Sequence, residues 1–167
     1  MSWSFLVFAG ACFVAALSGG LFRPGAWYRA LNKPSWQPPD WLFGPVWFVL
    51  YWMIAFAGWI VWERTGGQGD LAAAALPMLA YVAQLVLNFL WSLLFFGMKR
   101  MRLAFIEVLA MHLSIVACIV LFWPVSHVAA LLMMPYLAWV SFAAFLNYTL
   151  FRLNPDGGLD PAVARAS

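Results

Sequence analysis

The stretch that decides the fold is LAAAALPMLAYVAQLVLNFLWSLLFFGM, which has no charged residue from Leu71 to Met98. A helix needs about 20 consecutive apolar residues to cross the hydrocarbon core of a bilayer, so this stretch is long enough to span a membrane. The whole chain agrees with it: of 167 residues, 66% are hydrophobic and 9% are charged. Soluble domains are about 45–50% apolar and about 25% charged, so the excess apolar surface is expected to face lipid.

Four further apolar stretches resemble this one in length. We predict membrane-spanning helices over residues 3–21, 41–62, 71–98, 103–123 and 128–151. The predicted fold class is therefore an all-α integral membrane protein, with a five-helix transmembrane bundle in residues 1–152. Residues 22–40, named loop 1 from here on, connect the first two spans, and residues 153–167 form a polar tail. No Lys or Arg precedes the first apolar run, so a retained helix is expected there rather than a signal peptide.

The positive charges lie almost entirely on one side of the predicted bundle. With five spans, loop 1, the connection 99–102 and the tail share a side. That side holds eight of the nine Lys and Arg residues, and the other side holds only Arg64. Positive charge favours the cytoplasmic side. For a multi-pass protein of a bacterial cell membrane, which is the localisation that we expect, this distribution predicts the N-terminus outside and the C-terminus in the cytoplasm.

Titratable residues inside the predicted spans are few and widely spaced. Cys12 and Cys118 have neither disulfide nor metal spacing, and no phosphate-binding loop or Ser-His-Asp set is present. We expect no metal site, no obligatory cofactor and no nucleic-acid partner. Glu107 is expected to pair with an arginine of the connection 99–102. His112 is expected to be hydrogen-bonded inside the bundle rather than to ligate a haem.

Loop 1 contains more aromatic and proline residues than a simple connection needs. Its segment 27–41, WYRALNKPSWQPPDW, holds three Trp, one Tyr and three Pro. Such a segment either folds over the end of the bundle as a lid or packs in the headgroup region, and composition leaves both open. In a lid, the rings would form flat apolar walls, and Arg29 and Lys33 could pair with carboxylates at the rim.

Polar and aromatic residues share single faces of the predicted spans. Gln84, Asn88 and Trp91 fall at i, i+4 and i+7, so they line one face of the third span. Polar side chains inside a span usually face the bundle interior or a cavity. Hydrogen bonding between helices and a ligand-binding wall are both open for this face. Trp47 and Tyr51 share a face of the second span in the same way.

The first span carries small residues at intervals of four. Ala11, Ala15 and Gly19 form one such row, which predicts a ridge that another helix can approach closely. In the fifth span, Trp139 and Ala143 share a face, with the small Ala143 leaving room beside the indole. The convergence of these faces on one cavity is a hypothesis that spacing alone does not test.

Five motifs follow one another over nearly the whole chain. They are Trp27-Tyr28-x-x-Leu31-x-Lys33-Pro34-x-Trp36-x-Pro38-Pro39, Pro45-Val46-Trp47, Gln84-Leu85-x-x-Asn88-x-x-Trp91, Phe95-Phe96-Gly97-Met98-Lys99, and Pro135-Tyr136-Leu137-Ala138-Trp139 leading to Asn147-Tyr148. Together they resemble the translocator protein (TspO/MBR) family, which includes bacterial tryptophan-rich sensory proteins and the mitochondrial peripheral benzodiazepine receptor. The loop 1 motif is the most specific of the five.

The resemblance implies a five-helix membrane protein, commonly a homodimer, with a ligand pocket between the helices under loop 1. Ligands of the family include porphyrins such as protoporphyrin IX, cholesterol, and benzodiazepine-type and isoquinoline-type drugs. Carried over by position, the pocket residues would be Trp27, Tyr28, Pro38, Trp47, Asn88, Trp91, Trp139 and Ala143. The helix faces described above add Tyr51 and Gln84.

The resemblance also implies residues for two more specific roles. The cholesterol-motif positions correspond to Leu146, Asn147, Tyr148 and Arg152. In some bacterial relatives the indoles matching Trp27 and Trp139 are implicated in porphyrin breakdown. Three functions therefore stay open: a tetrapyrrole-binding sensor or translocator, a light-dependent porphyrin-degrading enzyme, and a structural or assembly protein of the membrane.

Overall fold

The computed structural model describes residues 2–22, 24–155 and 157, without the side chain of Gln68. The helices in this part of the chain are α1 (Trp3–Leu21), α2 (Ala26–Ala30), α3 (Asp40–Arg64), α4 (Leu71–Ser92), α5 (Met101–Phe122) and α6 (His127–Leu153). A 3-10 turn, Gly67–Gly69, precedes α4, and a π-helical turn, Leu93–Gly97, extends it. Arg23, Arg165 and most of the predicted tail lie outside the described residues.

Five helices in the described part of the chain are long and apolar enough to cross a membrane. They are α1, α3, α4 with its π-helical turn, α5 and α6. The predicted fold class, an all-α five-helix bundle, is confirmed. Helix α2 is a short addition that the sequence analysis did not predict, and it lies inside loop 1.

Short polar side chains determine where three of the long helices begin. The Ser2 hydroxyl accepts a hydrogen bond from the amide of Phe5, and the Ser126 hydroxyl accepts one from Ala129. The Asp70 carboxylate accepts one from the amide of Ala73 at 3.0 Å. Each of these bonds satisfies an amide that has no partner within its own helix.

The five long helices form a ring in which each helix packs against its two neighbours. Helix α1 packs against α3 and α4, α6 packs against α3 and α5, and α5 packs against α4. Large apolar side chains such as Phe13, Val82 and Leu113 are exposed on the outside of the ring. In a membrane protein these side chains face lipid, so their exposure costs no hydrophobic free energy.

Helices α1 and α4 pack closely against α3 at Gly58. A Cβ atom on Gly58 would lie 2.5 Å from Cε2 of Tyr81 and 2.8 Å from Cδ1 of Phe8. Both distances are far below van der Waals contact, and both neighbours are buried rings. The absence of a side chain at Gly58 therefore allows the two rings to pack edge to face, with their centroids 5.4 Å apart.

We expect Gly58→Ala to destabilise the bundle, because the added methyl group must displace one of these rings. Overpacking of this kind costs about 1–3 kcal/mol of unfolding free energy. The measurement is thermal unfolding in detergent. The matched control is Gly10→Ala in α1, where a Cβ atom meets nothing within 4 Å. If the two variants melt at the same temperature, the close approach at Gly58 does not limit stability.

The connection between α4 and α5 is tightly turned. The amide of Met98 donates to the carbonyl oxygen of Leu93 at 2.7 Å, and that of Arg100 donates to Leu94 at 2.9 Å. Between them, Lys99 adopts a left-handed conformation with φ at 56°. That conformation costs a residue with a Cβ atom about 1–2 kcal/mol, so the surrounding hydrogen bonds must hold it in place.

Candidate functional site

A cavity of about 540 Å³ lies between α1, α3, α4 and α6. This volume is within the range of about 300–1,000 Å³ that is typical of small-molecule sites. Most of the wall is apolar, and much of it is aromatic. The aromatic wall residues are Phe13, Phe22, Tyr28, Phe43, Trp47, Phe48, Tyr51, Trp52, Trp91, Phe95 and Phe96.

Helix α1 makes room for the cavity by presenting small side chains. Cys12, Ala16 and Gly19 line it, and a Cβ atom on Gly19 would meet nothing within 4 Å. The row Ala11, Ala15 and Gly19 was predicted as a ridge for close helix packing. Of this row, Ala15 is buried in the core and Ala11 is partly buried against it, whereas Gly19 lines the cavity.

The polar groups of the wall are already hydrogen-bonded within the bundle. The Tyr51 hydroxyl donates to Oδ1 of Asn88 at 2.6 Å. The Nδ2 group of Asn88 donates to the Tyr136 hydroxyl at 3.0 Å. This chain joins α3, α4 and α6, and it leaves the Tyr51 proton engaged with the protein rather than free for a ligand.

Asn147 ties a second part of the wall together. Its Oδ1 accepts a hydrogen bond from the indole Nε1 of Trp91 at 3.3 Å. Its Nδ2 donates to the backbone carbonyl of Met101, the first residue of α5, at 2.9 Å. Trp91 is further held by stacking on Phe95, with ring centroids 5.3 Å apart. Its indole is therefore fixed in orientation before any ligand binds.

Loop 1 covers one end of the cavity. Pro24, Tyr28 and Asp40 line it at that end. Tyr28 is only 4% exposed and packs against the ring of Phe96. Burial, reinforced by the negative charge of Asp40, raises the pKa of Tyr28 to about 12. The phenol is therefore neutral at physiological pH, and the ammonium of Lys33 lies 4.1 Å from the centre of its ring.

The C-terminal end of α6 holds loop 1 in place. The amide of Asn32 donates to Oδ1 of Asn154 at 2.9 Å, and Nδ2 of Asn154 donates to the carbonyl oxygen of Asn32 at 3.0 Å. We call this pair of bonds the clasp. Nearby, the indole of Trp27 donates to the carbonyl oxygen of Gly157 at 2.9 Å. The sequence analysis did not predict the clasp, because its two partners lie 122 residues apart.

Asn154→Ala is expected to loosen loop 1, because it removes both bonds of the clasp. Amide hydrogen exchange of residues 26–36, followed by mass spectrometry, should become several-fold faster. The matched control is Asn32→Ala, since Asn32 contributes only backbone atoms to the clasp and its side chain is exposed. Equal exchange in wild type and Asn154→Ala would show that the clasp does not hold the loop.

Six of the ten residues predicted for ligand binding line the cavity. They are Tyr28, Trp47, Tyr51, Asn88, Trp91 and Ala143. The other four do not: Trp27, Pro38, Gln84 and Trp139.

Three of the four residues that do not line the cavity have defined contacts or burial in the fold. Trp139 packs on Phe43 with centroids 5.5 Å apart, and Trp27 packs on Phe95 at 6.0 Å. Because Phe43 and Phe95 are wall residues, the two indoles proposed for porphyrin breakdown lie one ring behind the wall. Gln84 is fully buried, and its amide has no hydrogen-bond partner among the described residues.

The four sterol-motif residues do not form one site. Leu146 and Asn147 line the cavity, whereas Tyr148 and Arg152 are exposed. The guanidinium of Arg152 donates to the Tyr148 hydroxyl at 3.4 Å on the outer surface. Consecutive helical residues are about 100° apart, so Tyr148 and Arg152, four residues apart, share one face of α6. That face is turned away from the face that carries Leu146 and Asn147.

Most of the residues of α1 that line the cavity were not predicted from the sequence. Ala9, Cys12, Phe13, Ala16 and Ser18 all line it. The only signal was the row of small residues on this span, and such a row is equally typical of close helix packing and of a cavity wall.

The ionisable residues Glu107 and His112 of α5 have separate surroundings. Both carboxylate oxygens of Glu107 lack a partner among the described residues, so the predicted ion pair with an arginine is not formed. The ring of His112 lies 3.4 Å from the Ser141 hydroxyl. No group of three metal-ligating side chains occurs in the described part of the chain.

Comparison with known proteins gives one consistent family. The sequence profile of the TspO/MBR family matches residues 5–153. A tryptophan-rich sensory protein of Cereibacter sphaeroides is 40% identical over 155 residues, covering 92% of this chain and 94% of that protein. Protein CrtK of Rhodobacter capsulatus is 38% identical over 154 residues, covering 90% and 92%. The human translocator protein is 41% identical over 128 residues, covering 77% and 75%.

Proposed function

The chain belongs to the TspO/MBR family, and from this we propose that it binds tetrapyrroles such as protoporphyrin IX in the membrane and senses or translocates them. Sterols and benzodiazepine-type drugs would be further hydrophobic ligands of the same site. The observation that carries the proposal is the aromatic cavity of about 540 Å³ under loop 1.

The chemistry of the wall is suited to a flat apolar ligand. Each pair of stacked aromatic rings contributes about 0.5–1.5 kcal/mol of favourable free energy, in addition to the contribution from the apolar area that it buries. Trp47 and Trp91 provide indoles on two different helices. Propionate groups of a porphyrin would pair with the ammonium of Lys33, which lies beside Tyr28. This pairing would offset the repulsion between the propionates and the carboxylate of Asp40.

A ligand of this kind would reach the cavity from the bilayer. Phe13 of α1, and Phe48 and Trp52 of α3, line the cavity and are also 65%, 66% and 44% exposed. These exposed wall residues support entry of a ligand between α1 and α3. An apolar ligand dissolved in lipid could pass there without crossing loop 1.

We also propose that the end of the bundle covered by loop 1 faces the cytoplasm. The clasp places loop 1 beside the end of α6, and Tyr28 packs against the turn that leads into the connection 99–102. The described basic residues of loop 1, of the connection 99–102 and at the end of α6 therefore belong to neighbouring segments of one end. Positive charge at this end favours cytoplasmic orientation.

Filling the cavity should abolish binding without disturbing the fold. Gly19→Leu places an apolar side chain in open space on the cavity wall, and we expect the Kd for protoporphyrin IX to rise at least tenfold. Quenching of tryptophan fluorescence measures binding. Gly10→Leu is the control, because it makes the same change in the same helix at an exposed position that does not line the cavity. Equal affinity for both variants would remove the cavity as the site.

Loss of one stacking partner should weaken binding less severely. We expect Trp47→Leu to raise the Kd about 2- to 10-fold, as the loss of about 0.5–1.5 kcal/mol requires. Trp123→Leu removes an exposed indole at the far end of α5 and should leave the Kd unchanged. An unchanged Kd in Trp47→Leu would show that the ligand does not contact this part of the wall.

A further inference from the structure

A second hollow, of about 270 Å³, lies where the connection between α4 and α5 meets the C-terminal end of α6. Lys99, Arg100 and Arg102 line it, and Leu103 and Phe151 add an apolar side. Asn154 of the clasp forms part of the same wall. We refer to this feature as the basic hollow.

The basic hollow concentrates positive charge that the described protein does not neutralise. None of its three cationic side chains forms an ion pair with an acidic residue among those that the structure describes. Helix α5 begins beside it at Met101, and its N-cap residue, Arg100, makes no side-chain capping bond. The positive end of the helix dipole therefore adds to the three side-chain charges.

An anion would reduce the mutual repulsion of these three exposed charges. Cations near a helix N-terminus repel the partial positive charge of its amides, whereas a phosphate is attracted by both. Lys99 is also held in a left-handed conformation at this position, so its place on the wall is fixed by the backbone. The charge of the hollow thus points to an oxyanion.

The location of the hollow identifies the kind of molecule that carries this anion. The hollow lies at the ends of α4 and α6 and at the start of α5, where these helices leave the hydrocarbon. The phosphate of a lipid lies at the same depth. Leu103 is exposed and Phe151 is half-buried, so an acyl chain could continue from the hollow along an apolar surface.

From these observations we propose that the basic hollow binds the headgroup of an anionic phospholipid. Its phosphate pairs with Arg100 and Arg102 and with Lys99. Basic pockets between membrane helices are suited to anionic headgroups, and a net positive charge of three favours these over zwitterionic lipids. The site is separate from the aromatic cavity, so its occupancy does not depend on the function proposed above.

The test compares lipid binding to the full-length protein in neutral detergent by native mass spectrometry. We expect phosphatidylglycerol to bind at least fivefold more tightly than phosphatidylcholine of the same chain length. Arg100→Gln/Arg102→Gln should reduce this preference to less than twofold. The matched control, Arg64→Gln/Arg152→Gln, lowers the net charge equally at residues outside the hollow and should keep the preference. Retained preference in the first variant, or its loss in both, would overturn the proposal.

Two measurements on the wild-type protein complete the test and do not depend on folding of a variant. Phosphatidylglycerol should slow amide exchange of residues 101–103 at least threefold, and phosphatidylcholine should not. If both lipids slow exchange equally, the site is not selective for anionic lipid. If inorganic phosphate at millimolar concentration gives the same protection as the lipid, the hollow is a site for free phosphate and the lipid assignment is wrong.

Discussion

Hydrocarbon offers no hydrogen-bond partner, and this constraint determines how the five helices are turned towards one another. Two asparagines in the bundle must find their partners on other helices. Asn88 links α3, α4 and α6 through Tyr51 and Tyr136. Asn147 links α6 to an indole of α4 and to the first carbonyl of α5. Rotation of any one of these helices would leave at least one buried amide unpaired.

The same constraint explains the character of the cavity. Because the polar side chains of its wall are used to hold the helices, few donors or acceptors remain for a ligand. Tyr51, Asn88 and Asn147 line the cavity, yet each is already bonded to a neighbouring helix. Recognition of the ligands proposed above would then depend on ring stacking and shape rather than on polar contacts.

Hydrophobic run length and charge placement were sufficient to predict the fold class, because a span must be about 20 residues long and apolar whatever its neighbours are. Helical spacing was also sufficient to group Asn88 with Trp91 on one face, and both line the cavity. The spacing of residues along the sequence could not predict which turns of the helix lie beside the cavity. Gln84 shares that face, but it lies one turn away among packed groups and is fully buried outside the cavity.

Contacts between segments that are far apart in the chain could not be predicted from the sequence. The clasp joins residues separated by most of the chain, and neither asparagine has a local pattern that identifies the other. For the same reason Trp139 could be assigned to the correct helix but not to the layer behind Phe43. Small residues on α1 were visible, but close packing and a cavity wall both favour such residues.

The exposed aromatic residues of α1 and α3 affect the concentration scale on which the affinity of a ligand for this protein should be given. Phe13, Phe48 and Trp52, beside which the proposed entry lies, are near the middle of two long apolar helices. A ligand that entered by the proposed route would equilibrate with the lipid phase, so its mole fraction in the bilayer would govern occupancy. Two ligands with identical contacts in the cavity would then show different apparent potencies in water, in proportion to their partition coefficients.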